Sequence, residues 1–197
     1  RKILFKINGL PMIEHVRRRA ILANNIDDVY VATPDNKIKN IVENYGGKVI
    51  LTSKKHINGT SRASEAIKNI NCSHIILLQG DEPLIPEKII IETGNSIRSN
   101  INIATAACVL SDKNEITDPN NVKVVTANNN CAHYFSRSLI PHSNEVSDIT
   151  YYQHLGIYSY NRGTLQELAN LDVTYLEKTE RLEQLRFLDH GYKIFVN

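Results

Sequence analysis

The chain has 197 residues, 42% of them hydrophobic and 22% charged, with 23 Lys and Arg against 21 Asp and Glu. That apolar share fills a core in one domain and excludes global disorder. A net charge of +2 without a dense basic tract argues against nucleic-acid binding. No apolar run approaches the roughly 20 residues of a membrane span. The charged opening Arg1-Lys2-Ile3-Leu4-Phe5-Lys6 does not read as a secretory leader. Cys72, Cys108 and Cys131 form no C-x-x-C pair, so they read as reduced cytoplasmic thiols.

Along the chain, Pro11 suits the first turn of a helix in which Ile13, Val16 and Ala20 recur at helical spacing. Asp28 to Ala32 is a short β-rich run. Asp35 then caps a helix with Ile38, Ile41, Val42 and Tyr45 on one face, stopped by Gly46-Gly47 before a strand over Lys48 to Leu51. A helix is predicted over Arg62 to Asn69. The strand His74 to Leu78 follows, with no polar alternation, as expected when both faces are covered. Pro86 opens a helix reaching about Ser99, and Ile103 to Val109 returns as strand. This alternation predicts βαβ units and an α/β, Rossmann-like, mostly parallel central sheet. The second half reads differently. Val122 to Thr126 and Cys131 to Phe135 make a hairpin, and His154 to Tyr160 a strand. Helices follow over Arg162 to Asn170 and Glu180 to His190, then a strand over Lys193 to Val196. A small mixed lobe built from this half is expected beside the core.

Ligands of open parallel sheets bind beyond the carboxyl ends of the strands. The segment Gln79-Gly80-Asp81-Glu82-Pro83 leaves the most apolar strand. Gly80 permits a sharp exit there, and Asp81 offers one carboxylate of the kind that holds Mg²⁺ beside phosphates. A turn with solvated acids has the same appearance, and Glu82 reads as a partner for the next helix dipole. A second constellation, His56 to Arg62, places Gly59 at the start of a helix where backbone N–H groups receive an anion, with Arg62 as a further donor. A capped helix with an exposed arginine is the plainer reading. Arg137 ends the hairpin and suits a carboxylate; His154 begins a strand and suits a sugar hydroxyl or a structural role. Glu183 and Gln184 flank an amphipathic helix face that a purely solvated helix also displays. Dinucleotide, P-loop, zincin and α/β-hydrolase signatures are absent from the sequence.

In this order the segments resemble the 3-deoxy-D-manno-octulosonate cytidylyltransferases, or CMP-Kdo synthetases. The matching stretches include Ile7-Asn8-Gly9-x-Pro11-Met12-Ile13, His56-x-x-Gly59-Thr60-x-Arg62, Gln79-Gly80-Asp81-Glu82-Pro83 and Asn120-x-Val122-Lys123-Val124-Val125. Tyr134-Phe135-Ser136-Arg137-x-x-Ile140-Pro141, His154-Leu155-Gly156-Ile157-Tyr158 and Leu182-Glu183-Gln184-Leu185-Arg186 complete them and are the most specific. The resemblance implies a cytoplasmic, homodimeric enzyme of lipopolysaccharide biosynthesis that couples CTP to Kdo, giving CMP-Kdo and pyrophosphate. An 8-amino analogue or related 2-keto-3-deoxy sugar acid is the alternative acceptor, and a non-catalytic binding remnant a further one. By the same resemblance Asp81 holds Mg²⁺ and Lys2 acts with it in catalysis. Thr33, Gly59, Arg62 and Gln79 bind the nucleotide, and Arg137, His154, Tyr158, Glu183 and Gln184 bind the sugar.

The resemblance also implies one nucleotidyltransferase domain over 1–197, with a nucleotide-binding core over about 1–110 and a sugar-binding and dimerisation lobe over 111–197. Lys2 matches the final lysine of the family's amino-terminal phosphate loop. The rest of that loop, and a carboxy-terminal G-x-D-T-x-x-D metal segment, have no counterpart in these residues.

Overall fold

The computed structural model describes residues 2–98, 100–144 and 149–197. A single 3-10 turn (Lys2–Leu4) leads into a short hairpin, β1 (Lys6–Ile7) with β2 (Leu10–Pro11). Asn8 and Gly9 turn it with φ of 49° and 82°, the left-handed pair that a tight Asn-Gly hairpin requires. α1 (Met12–Leu22) follows Pro11 directly and buries Ile13, Val16 and Ala20, the positions read from the spacing.

Next come β3 (Tyr30–Thr33), α2 (Asn36–Asn44) and β4 (Lys48–Leu51), a βαβ unit whose two strands pair in parallel. Asp35 caps α2 by accepting from Lys37 N at 2.8 Å. α3 (Gly59–Ala66) starts ahead of the expected Arg62 because the Asn58 side chain accepts from Ser61 N at 3.0 Å and fixes the helix origin there. β5 (His74–Leu78), α4 (Glu87–Asn95) and β6 (Ile103–Leu110) complete the first half; α4 ends at Asn95, and Ser99 lies outside the described residues.

The second half contributes α5 (Lys113–Thr117), then β7 (Lys123–Thr126) and β8 (Ala132–Ser136), which pair antiparallel as the expected hairpin. β9 (Tyr151–Asn161) is longer than the sequence pattern indicates. α6 (Arg162–Leu168), α7 (Tyr175–Glu180), α8 (Gln184–Asp189) and β10 (Phe195–Val196) close the chain. The helix expected over 180–190 is the shorter α8; Glu180 instead ends α7, a helix the sequence pattern does not indicate, and Arg181 after it takes a left-handed φ of 55°.

The α/β class holds, but the central sheet is mixed where a mostly parallel one was expected. β10 and β6 pair in parallel, whereas β9 runs antiparallel between β5 and β6. The reason lies in the connections: β7 and β8 double the chain back, so β9 enters against the direction that βαβ crossovers give the earlier strands. On one edge β9 pairs Ile157 with Leu78 of β5, then Gln153 with Lys123 of β7. Residues 154–156 lie at the changeover, opposite a register shift between Thr105 and Ala106.

Buried side chains cover both faces of this sheet. Phe135, Tyr160, Leu165, Leu168, Leu185 and Phe187 form the larger cluster, and Ala23, Ile90, Ala106 and Ile157 the second. Each buried leucine, isoleucine or phenylalanine among them contributes about 1.5–3 kcal/mol, and the strands between the two clusters are packed on both faces.

Candidate active site

The exit from β5 meets the changeover in β9. Gln79 N donates to Gly156 O at 3.4 Å, and Glu82 N turns back onto Gln79 O at 3.3 Å. A Cβ on Gly80 would stand 3.0 Å from Ile13 Cδ1, so glycine lets this turn lie close against α1 without displacing that side chain. Arg19 Nε donates to Pro83 O at 3.0 Å and ties the same turn to α1. Asp81 therefore projects from a stiff corner at the carboxyl end of the strand. Its carboxylate receives Lys2 Nζ at 2.9 Å, with side-chain exposures of 40% and 68% respectively. Contact with Asp81 pushes the Lys2 ammonium above the usual lysine range. Glu82 does not serve the helix dipole as expected; its carboxylate lies toward Gly156. Burial, reinforced by the Asp81 charge, raises its pKa.

A cavity of about 970 Å³ runs the length of the gap between β3 and β5, and Thr33, Gly59, Arg62, Gln79 and Asp81 are among its lining residues. The structure thus places every residue expected to bind nucleotide along it. Their present contacts differ. Gln79 Nε2 lies 3.5 Å from the position of a Cβ on Gly59. Thr33 Oγ1 accepts from Asp35 N at 3.2 Å, a local turn contact. Arg62 is a clamp on the preceding loop: it donates to Thr52 Oγ1 at 2.7 Å, to Ser53 O at 3.1 Å and to His56 O at 3.3 Å.

A second group lies across β9. His154 stacks edge-on against Phe135 at 5.0 Å and tilts against Tyr158 at 5.4 Å, which itself stacks on Tyr160 at 5.7 Å. Thr105 Oγ1 donates to Ile157 O at 2.6 Å, so the 3.0 Å contact between His154 Nε2 and Thr105 Oγ1 needs the histidine proton on Nε2. That leaves Nδ1 as an acceptor. Burial holds the His154 pKa down to about 3, so the ring is neutral at ordinary pH. The Tyr158 hydroxyl is buried and has no hydrogen-bond partner among the described residues. Glu183 precedes α8; burial raises its pKa, opposed by the Thr60 hydroxyl and the Arg186 charge. Thr60 belongs to the first turn of α3, so Glu183 joins the aromatic group to the nucleotide-side helix. Gln184 is buried in the first turn of α8.

Arg137 is the residue whose local role differs most from the expectation. Its Nε donates to Glu180 O at 2.9 Å and one terminal nitrogen to Pro119 O at 3.1 Å, while its backbone N and Ser136 Oγ take the Glu180 carboxylate. It fixes the end of β8 to α7. Glu65 and Arg186, to which sequence reasoning assigns no individual role, each join two partners: Glu65 holds Ser53 N and His56, and Arg186 holds Glu177 and Glu183. Their spacing on α3 and α8 was visible, but their partners are distant in sequence or sit in a loop.

A family model described as cytidylyltransferase matches residues 1–194. The chain belongs to the cytidylyltransferase family. An 8-amino-3,8-dideoxy-manno-octulosonate cytidylyltransferase of Shewanella pealeana is 46% identical over 99% of this chain and 82% of its own length. One from Shewanella baltica is 44% identical over 98% and 81%. A solved CMP:2-keto-3-deoxy-manno-octonic acid synthetase complexed with CTP superposes with a TM-score of 0.93 at 36% identity, covering 100% of this chain and 82% of that one. The 4-diphosphocytidyl-2C-methyl-D-erythritol synthase of Anaerococcus prevotii shares the fold alone, at a TM-score of 0.62 and 14% identity over 99% of this chain and 82% of that one. As a member of this family, the chain is an enzyme, a cytidylyltransferase. No helix among the described residues is long and apolar enough to cross a membrane.

Proposed function

We propose that this cytidylyltransferase transfers CMP from CTP to a 3-deoxy-manno-octulosonate acid, releasing pyrophosphate, within one domain whose first half holds the nucleotide and whose second half holds the sugar. The observation that carries the reading is that Thr33, Gly59, Arg62, Gln79 and Asp81 line the cavity between β3 and β5 near the carboxyl ends of those strands, with Lys2 paired to Asp81. The 8-amino acid is the favoured acceptor. Relatives bearing that name are 43–46% identical to this chain, against 36% for the synthetase named for the 2-keto-3-deoxy acid.

In the reaction the anomeric hydroxyl of the sugar attacks the α-phosphorus of CTP; the oxygen–phosphorus bond forms as the bond to pyrophosphate breaks. Both partners are anions, so the barrier lies in bringing them together and stabilising phosphoryl charge. Asp81 suits Mg²⁺ on its donor chemistry: it is a half-exposed hard carboxylate at the cavity rim. No cluster of three or more metal-ligating side chains stands among the described residues. One carboxylate is the arrangement in which the ion takes its other ligands from phosphates and water. Bound there, the ion would supply charge neutralisation at the phosphates.

Lys2, next to Asp81, supplies a second positive charge for the phosphates. Gly59 lets the phosphate or base approach the backbone, and Gln79 presents an amide above it. Neutral His154 offers Nδ1 to a sugar hydroxyl, with the Tyr158 hydroxyl and the Glu183 carboxylate on the same side and Gln184 beside them. Arg137 acts here by fixing the end of β8 to α7. The free thiols of Cys72, Cys108 and Cys131 and the use of CTP support a cytoplasmic setting, and the family resemblance supports a homodimer.

Pyrophosphate release measured with CTP, Mg²⁺ and each acid in parallel tests the assignment. The expected result is turnover with CTP over ATP, GTP and UTP, and a higher kcat/KM for the 8-amino acid. Turnover with another nucleotide, or with neither acid, overturns it.

A further inference from the structure

The loop between β4 and α3 delivers Asn58 and Gly59 to the cavity, yet few apolar contacts hold it: Ile57 within it is 85% exposed. Polar groups fix it instead. Glu65 lies one turn along α3 from Ser61, on the same face. Both Glu65 oxygens accept from Ser53 N at 3.2 Å, and one also contacts His56 Nε2. The other histidine nitrogen, Nδ1, meets Ser61 Oγ at 3.1 Å. Arg62 grips the same loop through the carbonyls of Ser53 and His56. The loop is therefore held at its start and middle by Glu65 and Arg62, and at its end by the Asn58 cap.

The contact with His56 and the Ser53 N–H hold the Glu65 carboxyl below the usual glutamate range, consistent with an ionised group in use. Arg62 has a direct ligand role open to it at the cavity wall. Glu65 does not line that cavity, so its effect on a ligand must pass through the loop.

We propose that Glu65 is a positioning residue for the nucleotide subsite, setting loop 53–58 so that the amino end of α3 and Gly59 face the cavity. The assignment rests on the reading of that cavity as the CTP site. Without the carboxylate, Ser53 N and His56 lose their shared acceptor, and the loop ordering must be supplied by CTP on binding. That cost appears in nucleotide affinity and leaves the chemical step alone.

The test measures CTP binding to the full chain by calorimetry with Mg²⁺ present, steady-state kinetics, and hydrogen exchange over 53–58. Glu65→Ala is expected to weaken CTP binding about tenfold, the scale of one lost charge-assisted hydrogen bond. KM for CTP rises to match, while kcat and the sugar KM stay near wild type and exchange over 53–58 accelerates. Glu65→Gln keeps the length and one acceptor for Ser53 N, and is expected to recover most of the affinity. Glu92→Gln, which removes an exposed carboxylate paired with Lys88 on α4, is the matched control and leaves CTP binding unchanged. Unchanged CTP affinity in Glu65→Ala, or an equal loss in kcat and in both KM values, overturns the positioning role. A wild-type chain that binds no CTP overturns the nucleotide reading beneath it, and the two failures are told apart by that first titration.

Discussion

Gly156 of β9 lies so close to Gln79, just past the end of β5, that an added methyl group must displace it: a Cβ on Gly156 would stand 3.1 Å from Gln79 Cγ and 3.3 Å from Glu82 Oε1. Gln79 is flanked on its other side by Gly59, where an added Cβ would make ordinary 3.5 Å contacts with Gln79 Nε2 and Leu77. Two glycines thus set where the amide points. Gly156→Ala is expected to displace Gln79 and lower kcat/KM about tenfold, with a stability loss of about 1 kcal/mol, at the low end for overpacking. Gly59→Ala should behave differently. It has room in the free protein, so stability holds or rises by about 0.5 kcal/mol, while CTP affinity falls because the methyl group occupies the approach to the backbone. Urea unfolding beside CTP titration separates the two; a Gly156→Ala variant with wild-type kinetics would show that Gln79 adjusts freely.

The buried imidazole of His154 makes stability depend on pH with a definite sign. Folded, it takes a proton only near pH 3, whereas an ordinary histidine in the unfolded chain does so near 6.5. Between those values the unfolded chain binds more protons, so its contribution is fully present above pH 6.5 and is lost as pH falls toward 3. The slope is about 1.4 kcal/mol per pH unit, which gives about 2 kcal/mol between pH 6.5 and about pH 5. His154→Phe keeps a ring against Phe135 and Tyr158 and removes the titration. Unfolding free energy measured across this range should fall less steeply in the variant; parallel curves would mean that other groups carry the acid sensitivity.

Arg186 is 4% exposed and sits between two acids, at 3.0 Å from Glu177 and 3.1 Å from Glu183, while also donating to Leu171 O at 3.1 Å. Burial raises the pKa of both carboxyls. Arg186→Met leaves them without their cation, and the loss of one partner of a buried pair costs about 3–5 kcal/mol. Adding Glu177→Gln should restore part of that stability, because one of the stranded charges is then gone. Denaturant midpoints of the single and double variants check this; additive losses would show that Arg186 acts through packing alone.

How far the chain was readable from its letters depends on how local each cause is. β4 and β5 fall on the residues expected because their apolar runs end in turn residues, and α2 starts where Asp35 caps it. The direction of β9 was not readable: alternation along a strand reports which face is buried and says nothing about parallel or antiparallel pairing. The boundary between α7 and α8 escaped for a related reason. Leu182 and Leu185 keep their apolar face through it, and a left-handed Arg181 has no composition signal of the kind a glycine gives. At the site, Asp81, Gln79 and Gly59 stood out because glycines and a strand end marked them. Arg62 and Arg137 have unremarkable local contexts, and their grip on distant backbone carbonyls appears only once the loops are folded.

Asp81 and Lys2 form an exposed pair joining the start of the chain to the end of β5. Exposed ion pairs add little to stability, so these residues matter through charge at the phosphates. Asp81→Asn keeps the shape and removes the charge. It is expected to lower kcat/KM by about 10²–10³, the scale for removal of one group that stabilises transition-state charge, and to raise the Mg²⁺ concentration needed for half-maximal rate, with the thermal midpoint unchanged. Lys2→Met removes the partner but leaves the carboxylate free for the ion. Its expected signature is a higher KM for CTP at an unshifted Mg²⁺ dependence. Pyrophosphate release across a Mg²⁺ series distinguishes the two variants. An Asp81→Asn enzyme with wild-type turnover and metal dependence would remove Asp81 from the chemistry and leave it as the anchor for Lys2.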